Sequence, residues 1–364
     1  GEEGEARVSF SSIRINFPLT SIGEGLFSGV LTVPSGVNED NVETIGNFTD
    51  ACGNEAEPVT ARRRFSVRGD EFNPQIITRF QLDNVLGSDI WYHVGACFVC
   101  DTHAVQIINV TNPFVPFWMK NVHSGSWSKG FDGDDLRLFI PYRYGVSVMY
   151  IQPPDDSYIV SRLLLNEIAS DIVVGDLNAY VACKSCGLIV LDIIDRNKPI
   201  YLSRLTLNSG GDLISLEGDI IYMLGASYGS IINVSDPEHP QLIGEFEVSG
   251  EPYDMLVLDG YLYVATRVKG VYAFDVRDPA DPVLLAERTN LAPAFSLEIS
   301  PPFLYVGGEE DIIIVNATQP RELGEVARVE DVGTVYGMFL VDNYLYTSGP
   351  SMLTIIELFS RDME

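Results

Sequence analysis

Positive charge, histidine and long apolar runs are all scarce in this chain. Lysine and arginine number 23 against 51 aspartates and glutamates in 364 residues, a formal charge of −28. Nucleic-acid binding needs cations that neutralise phosphates, so the balance argues against it, and it equally disfavours an anionic membrane surface. It suits cations, neutral sugars or plain solubility. No stretch reaches the ~18 apolar residues of a membrane span; blocks such as Leu188 to Ile194 are short and broken by Asp192. The only histidines are His93, His103, His123 and His239, which counts against a histidine-rich zinc hydrolase or a Ser-His-Asp hydrolase. No glycine-rich phosphate loop opens a helix after a strand, so nucleotide binding lacks support. No signal peptide is visible, but the start Gly1-Glu2-Glu3-Gly4 reads as trimmed, so this absence is uninformative.

What is plentiful points to β structure. Hydrophobic residues make up 46% of the chain, enough for a large core, and 32 glycines accompany 17 tyrosines and 18 phenylalanines. An aliphatic–Tyr–aliphatic pattern recurs, as in Ala179-Tyr180-Val181, Ile221-Tyr222-Met223, Leu262-Tyr263-Val264, Leu304-Tyr305-Val306 and Leu345-Tyr346-Thr347. Phe139 and Cys97 fill the same slot earlier, and the seven slots are spaced alternately by 42 and 41 residues. About ten residues beyond each slot comes a β-rich run, in several copies closed by an Asx-Pro turn and a second proline. Ile231-Ile232-Asn233-Val234-Ser235-Asp236-Pro237 with Pro240 is one example. In the fifth copy the pattern predicts strands near 253–258, 261–266, 270–276 and 282–289, with Asp259-Gly260 as a tight hairpin.

Four short strands per 41–42 residues suit a propeller blade. The expected fold is all-β: a seven-bladed β-propeller of four-stranded blades over residues 74–364, its last blade closed by an N-terminal strand. The seventh copy ends after Met352–Phe359 without an outer strand, and Pro74-Gln75-Ile76-Ile77-Thr78-Arg79-Phe80 mirrors the outer strand Pro240-Gln241-Leu242-Ile243-Gly244-Glu245-Phe246 of copy four. Residues 74–80 are therefore expected to complete the ring.

Leu188-Ile189-Val190-Leu191-Asp192 and Gly270-Val271-Tyr272-Ala273-Phe274-Asp275-Val276, each with a downstream proline, resemble the LVIVD repeat. The resemblance implies a β-propeller of a bacterial or archaeal envelope, and the family supplies no catalytic motif to carry over. Copy two (Met149-Tyr150-Ile151-Gln152-Pro153-Pro154) is degenerate, and copy six (Asn316-Ala317-Thr318-Gln319-Pro320) is one residue short.

Residues 1–73 lie outside the repeat and are expected to pack on the propeller as an extension. Val8, Phe10, Ile13, Ile15 and Phe17 roughly alternate, as in a single strand. Residues 34–60 read as loop from their glycine, asparagine, glutamate, proline and threonine content. Arg62-Arg63-Arg64 is the one basic cluster of note and reads as a local offset to the acidic surface.

The channel mouth, where inner strands begin, is the expected ligand face. Asp89, Asp171, Asp212 and Asp254 occupy the entry positions; together they suit a hard cation such as calcium, and the same residue type starts strands and caps turns with no ion. No cofactor is required. The long loop 123–135 brings Trp127 near Tyr142, Arg143 and Tyr144, the preferred binding patch for a protein or carbohydrate ligand.

The cysteines form two CxxC sets, Cys97/Cys100 and Cys183/Cys186, superficially like a four-cysteine zinc site. The repeat phase places them in non-adjacent copies, and Cys97 and Cys100 face opposite sides of a strand. Cys183 and Cys186 flank a short turn suited to a hairpin disulfide in an oxidising envelope. Cys52 is left over, with Cys100 as its available partner. The sequons at Asn109, Asn233 and Asn316 occupy related repeat positions, so turn formation explains them better than glycosylation. The functional expectation is a non-enzymatic, monomeric cell-surface or secreted scaffold. The alternative is a metal-assisted hydrolase or lyase at the acidic mouth, although no acid/base pair is identifiable.

Overall fold

The computed structural model describes residues 72–359, apart from 84–87, 101–102 and 126–129, together with the strand assignments of residues 1–71. Cys52, Arg62-Arg63-Arg64 and Trp127 lie outside the described residues.

Seven four-stranded antiparallel sheets follow one another along the chain. Blade 1 runs from its inner strand Asp89–His93 through Ala96–Cys100 and Ala104–Asn109 to its outer strand Phe117–His123. The inner strands of blades 2 to 7 are Asp132–Gly133, Ala169–Val174, Leu213–Glu217, Pro252–Leu258, Ser296–Ser300 and Gly337–Val341. Blade 5, with strands Pro252–Leu258, Tyr261–Thr266, Gly270–Asp275 and Val283–Arg288, falls within a residue or so of the sequence expectation. Blade 7 takes its outer strand from the other end of the ring: Phe72–Gln81 joins Met352–Phe359.

The aromatic slot explains why the repeat is so regular. Phe139, Tyr180, Tyr222, Tyr263, Tyr305 and Tyr346 are all buried in the second strand of their blades. In blade 1 the slot is held by buried Phe98 and not, as expected, by Cys97: Ala96 pairs with Asn109 as Tyr261 pairs with Asp275, which sets Phe98 level with Tyr263. Side chains alternate across a strand, so each second and third strand fills two interfaces, one with each neighbouring blade. Core clusters accordingly form between blades 1 and 2 (Phe98, Ile107, Leu138, Met149), 2 and 3 (Phe139, Val148, Val181, Leu191), and 4 and 5 (Tyr222, Phe246, Leu262, Phe274). Across the closure, Cys97 and Ile108 pack with Tyr346 and Ile355, and Tyr92 stacks on Tyr346 with ring centroids 5.3 Å apart. Cys97 and Cys100 do serve different interfaces, blades 7/1 and 1/2.

Away from the inner-strand starts, third strands end in Asn109, Asp192, Asn233, Asp275 and Asn316. Each side chain accepts the N–H two residues on, at 2.8–3.2 Å. These Asx turns use the three sequon asparagines as structural acceptors. The outer strands of blades 1 to 6 all carry a register shift against the third strand, from Ile107/Ile108 to Ile314/Val315. A bulge there twists an exposed edge away from foreign strands.

Residues 1–73, with 358–364, form a compact unit distinct from Pro74–Glu357. It contains a five-stranded antiparallel sheet and a two-stranded ribbon. Two sequence expectations are corrected here. The alternating stretch from Val8 is not one strand but parts of two, Glu5–Phe10 and Asn16–Gly23, paired with each other. Residues 34–60, expected as loop, contain Asn38–Val42, Thr44–Thr49 and Val59–Thr60. Pairing overrides composition: Thr44–Thr49 lies along the whole of Glu5–Phe10.

Candidate functional site

An inner strand is an edge strand. Its channel-facing N–H groups have no further strand to bond, and buried donors left unmet are costly. The sequence answers with acceptors from the preceding blade. Asp171 accepts the N–H of Ile172 at 2.9 Å through one oxygen and that of Ile214, in blade 4, at 3.1 Å through the other. Asp89 does the same with Ile90 (2.8 Å) and Phe131 (3.1 Å), and Asp254 with Met255 and Leu297 (2.7 Å each). Each carboxylate fastens its blade to the next.

Asp132, not singled out in the sequence, is a fourth clasp: it accepts from Gly133 and from Val174 of blade 3, both at 2.7 Å. Ser215 Oγ plays a lighter version, accepting the Val257 N–H of blade 5 at 3.2 Å. Asp132, Ser215 and Glu298 are 83 residues apart, and that spacing was the available signal.

Asp89, Asp171 and Asp254 line one axial cavity of about 180 Å³ with Tyr253 and Tyr336. Only glycine fits between two of the acids: a Cβ on Gly130 would stand 2.5 Å from an Asp171 oxygen and 3.4 Å from one of Asp89. Burial raises Asp171 to about 7 and Asp254 to about 6; the backbone N–H bonds oppose the rise, and for Asp171 the charges of Asp254 and Asp132 add to it. Burial, then the charges of Asp171 and Asp254, hold Asp89 well above the ordinary carboxylate range. Asp132 is raised to about 6, chiefly by burial. Beside the cavity Tyr253 meets Phe295 edge-on at 4.8 Å, and Phe295 meets Tyr336 at 5.6 Å.

The fourth expected acid stands apart. Asp212 is not part of that lining; it pairs with Lys184 at 3.3 Å and accepts from Ser170 Oγ at 3.3 Å. Tyr142, Arg143 and Tyr144 share the turn between the second and third strands of blade 2. Arg143 lies over the Tyr144 ring at 5.4 Å, and a Cβ on Gly125 would press the Tyr142 ring at 3.1 Å. Cys183 and Cys186 are joined as a disulfide across the corresponding turn of blade 3. Among the described residues, the one group of three or more metal-type side chains with ligand atoms within 4.8 Å is Glu167, Cys183 and Cys186.

The LVIVD repeat family matches residues 168–206 and 249–288. Two of the seven blades are LVIVD repeats. They are blades 3 and 5, whose inner strands carry the Asp171 and Asp254 clasps, and the LVIVD segment itself is the third strand that ends in an Asx turn. Known structures resemble the chain in fold. The WD40 propeller domain of Doa1 matches with a TM-score of 0.61 at 9% identity, over 78% of this chain and 97% of that one. BamB from Moraxella catarrhalis gives 0.53 at 13%, over 78% and 100%. The computationally designed Ika8 protein gives 0.55 at 8%, over 88% and 94%. At such identities the likeness is one of fold. No curated protein matches the chain by sequence.

Proposed function

We propose that this LVIVD-repeat propeller is a non-enzymatic binding scaffold of the cell surface or a secreted fluid, acting as a monomer, whose channel mouth takes a protein or carbohydrate ligand. The observation that carries this reading is the axial cavity, where Tyr253 and Tyr336 stand beside three carboxylates. Aromatic faces stack on apolar ring faces of sugars or side chains. The acids already fasten the ring, so the mouth is rigid before ligand arrives, which lowers the ordering cost of binding. The Cys183–Cys186 disulfide supports an oxidising location. Retention of envelope proteins and glycans on immobilised protein tests the proposal. Tyr253→Ala is expected to weaken the retained ligand at least about tenfold, the loss of more than ~1.4 kcal/mol typical of an interface anchor. Equal retention by variant and parent removes the axial mouth from the site.

The alternative, calcium-assisted hydrolysis or elimination, has the shared cavity of Asp89, Asp171 and Asp254 in its favour. Against it, both oxygens of each carboxylate already accept backbone N–H groups. Stoichiometric calcium in the purified protein, lost together with activity in Asp171→Asn, would favour that alternative.

A further inference from the structure

We propose that Glu167, Cys183 and Cys186 form a site for one zinc-class divalent ion that opens only when the Cys183–Cys186 disulfide is reduced. Their ligand atoms lie within 4.8 Å of one another. Two thiolates and one carboxylate form a donor set for a borderline-soft ion, unlike the all-oxygen sets of calcium or magnesium. The Cα atoms of the two cysteines are 5.3 Å apart across a two-residue turn, the short CxxC arrangement used in structural zinc sites. A fourth position is left for water.

The frame does not depend on the sulfur–sulfur bond. Lys184 N donates to Ile168 O at 3.0 Å, and Gly211 N donates to Cys183 O at 3.0 Å, fixing the turn from two neighbouring segments. Gly210, at φ +64°, packs so closely that a Cβ would stand 2.2 Å from Lys184 O. Ser185 Oγ donates to Glu167 Oε2 at 3.0 Å, orienting the carboxylate as outer-shell groups do in metal sites. Cys183 is buried, Glu167 half-buried and Ser185 exposed, so the cluster reaches solvent on its carboxylate side.

The chemistry balances with an external dithiol as reductant. The dithiol gives two electrons and two protons to the disulfide, leaving two cysteine thiols and becoming a disulfide itself. Binding of the divalent ion then releases two protons as both thiols become thiolate ligands, while Glu167 binds as the carboxylate. The disulfide form of that dithiol reverses the sequence: it takes two electrons from the two thiolates and two protons from solvent, the Cys183–Cys186 bond re-forms, and the ion is expelled. The site is independent of the axial mouth, so failure of either reading leaves the other standing.

Cobalt(II), a coloured stand-in for zinc, is the probe. The full chain is reduced with a dithiol, desalted without air and titrated. One equivalent per chain is expected to bind with sulfur-to-cobalt charge-transfer absorption, to be displaced by zinc, and to be absent from the oxidised protein. Cys183→Ser with Cys186→Ser is expected to abolish the band, and Cys97→Ser to leave it unchanged. Glu167→Gln is expected to weaken binding at least about tenfold, a loss in the range seen even for outer-shell partners. No thiolate band in the reduced parent, or a band that survives the double serine variant, overturns the proposal. If the serine variant does not fold, Glu167→Gln decides: unchanged affinity in a chain that still forms its disulfide rejects the three-ligand site.

Discussion

Blades 1, 3 and 5 reach their successors through Asp89, Asp171 and Asp254, paired with Cys100, Ala182 and Ala265 of the second strand, whereas blades 2 and 4 use Asp132 and Ser215, paired with the slot residues Phe139 and Tyr222. The difference shows how one edge is satisfied without competition. In blade 3, Ile172 N bonds its own Asp171 and Val174 N bonds Asp132 of the blade before; in blade 5, Met255 N and Val257 N divide the same way between Asp254 and Ser215. Blade 2 reverses the order, with Phe131 N given to Asp89 and Gly133 N to its own Asp132. Two acceptor depths therefore serve successive N–H groups on the same strand face. Acid works where serine gives less, because a carboxylate accepts on both oxygens and spans the blade junction.

The contrast has measurable edges. Asp171→Ala leaves two backbone donors without acceptors, and chemical denaturation is expected to show a loss of about 2–4 kcal/mol. If that loss is under 1 kcal/mol, the odd-blade clasp carries little stability. Mild acid should strengthen the ring. The folded values near 6 to 7 for Asp132, Asp171 and Asp254 lie above the ordinary 3.8. The native state therefore holds more protons through that window, and stability rises as pH falls from 7 towards 5, by on the order of 1–3 kcal/mol. Because lower pH also relieves the general acidic repulsion, the test is differential: the combined Asp171→Asn and Asp254→Asn variant should show a clearly flatter slope than the parent, and an identical slope would contradict the assignment. Ser215→Ala, the even-blade counterpart, removes one acceptor and should cost about 1 kcal/mol with the pH slope intact. The smallest effect is expected at the opposite end, where Asn109→Ala loses an exposed Asx turn, about 0.5 kcal/mol in a thermal melt.

The ring was legible because slot residues such as Phe139, Tyr222 and Tyr263 are buried between two blades and so repeat with the blade itself; in blade 1 the sequence reading fell one residue short, on Cys97 instead of Phe98. The closing strand was legible for a related reason: 74–80 copies the outer strand 240–246, down to its leading proline. Asp89, Asp171 and Asp254 were visible as entry residues, but their work was not, since their second acceptor bond goes to an N–H some 42 residues away that any residue type supplies. Asp132 escaped because its equivalents alternate with Val173 and Leu256, which pack rather than bond. Asp212 misled in the opposite sense: it stands one residue before the place that Asp171 and Asp254 hold in their strands, which Leu213 takes in blade 4, and it pairs with Lys184. In the N-terminal segment Thr44–Thr49 pairs with Glu5–Phe10 from tens of residues away, so local composition could not reveal the two as neighbours.

The origin of the last blade's outer strand has a consequence in time. Phe72–Gln81 leaves the ribosome about 270 residues before its neighbour Met352–Phe359. At roughly 5–20 residues per second, that strand waits about 14–54 s for a partner. As blades 1 to 6 emerge during that interval they form an open arc with an unclaimed end, and the third strand of blade 7 is the one that claims Phe72–Gln81. A chain cut short anywhere before residue 352 is thus left with two loose ends at once, which gives a quality-control protease or chaperone a clear mark of an unfinished molecule.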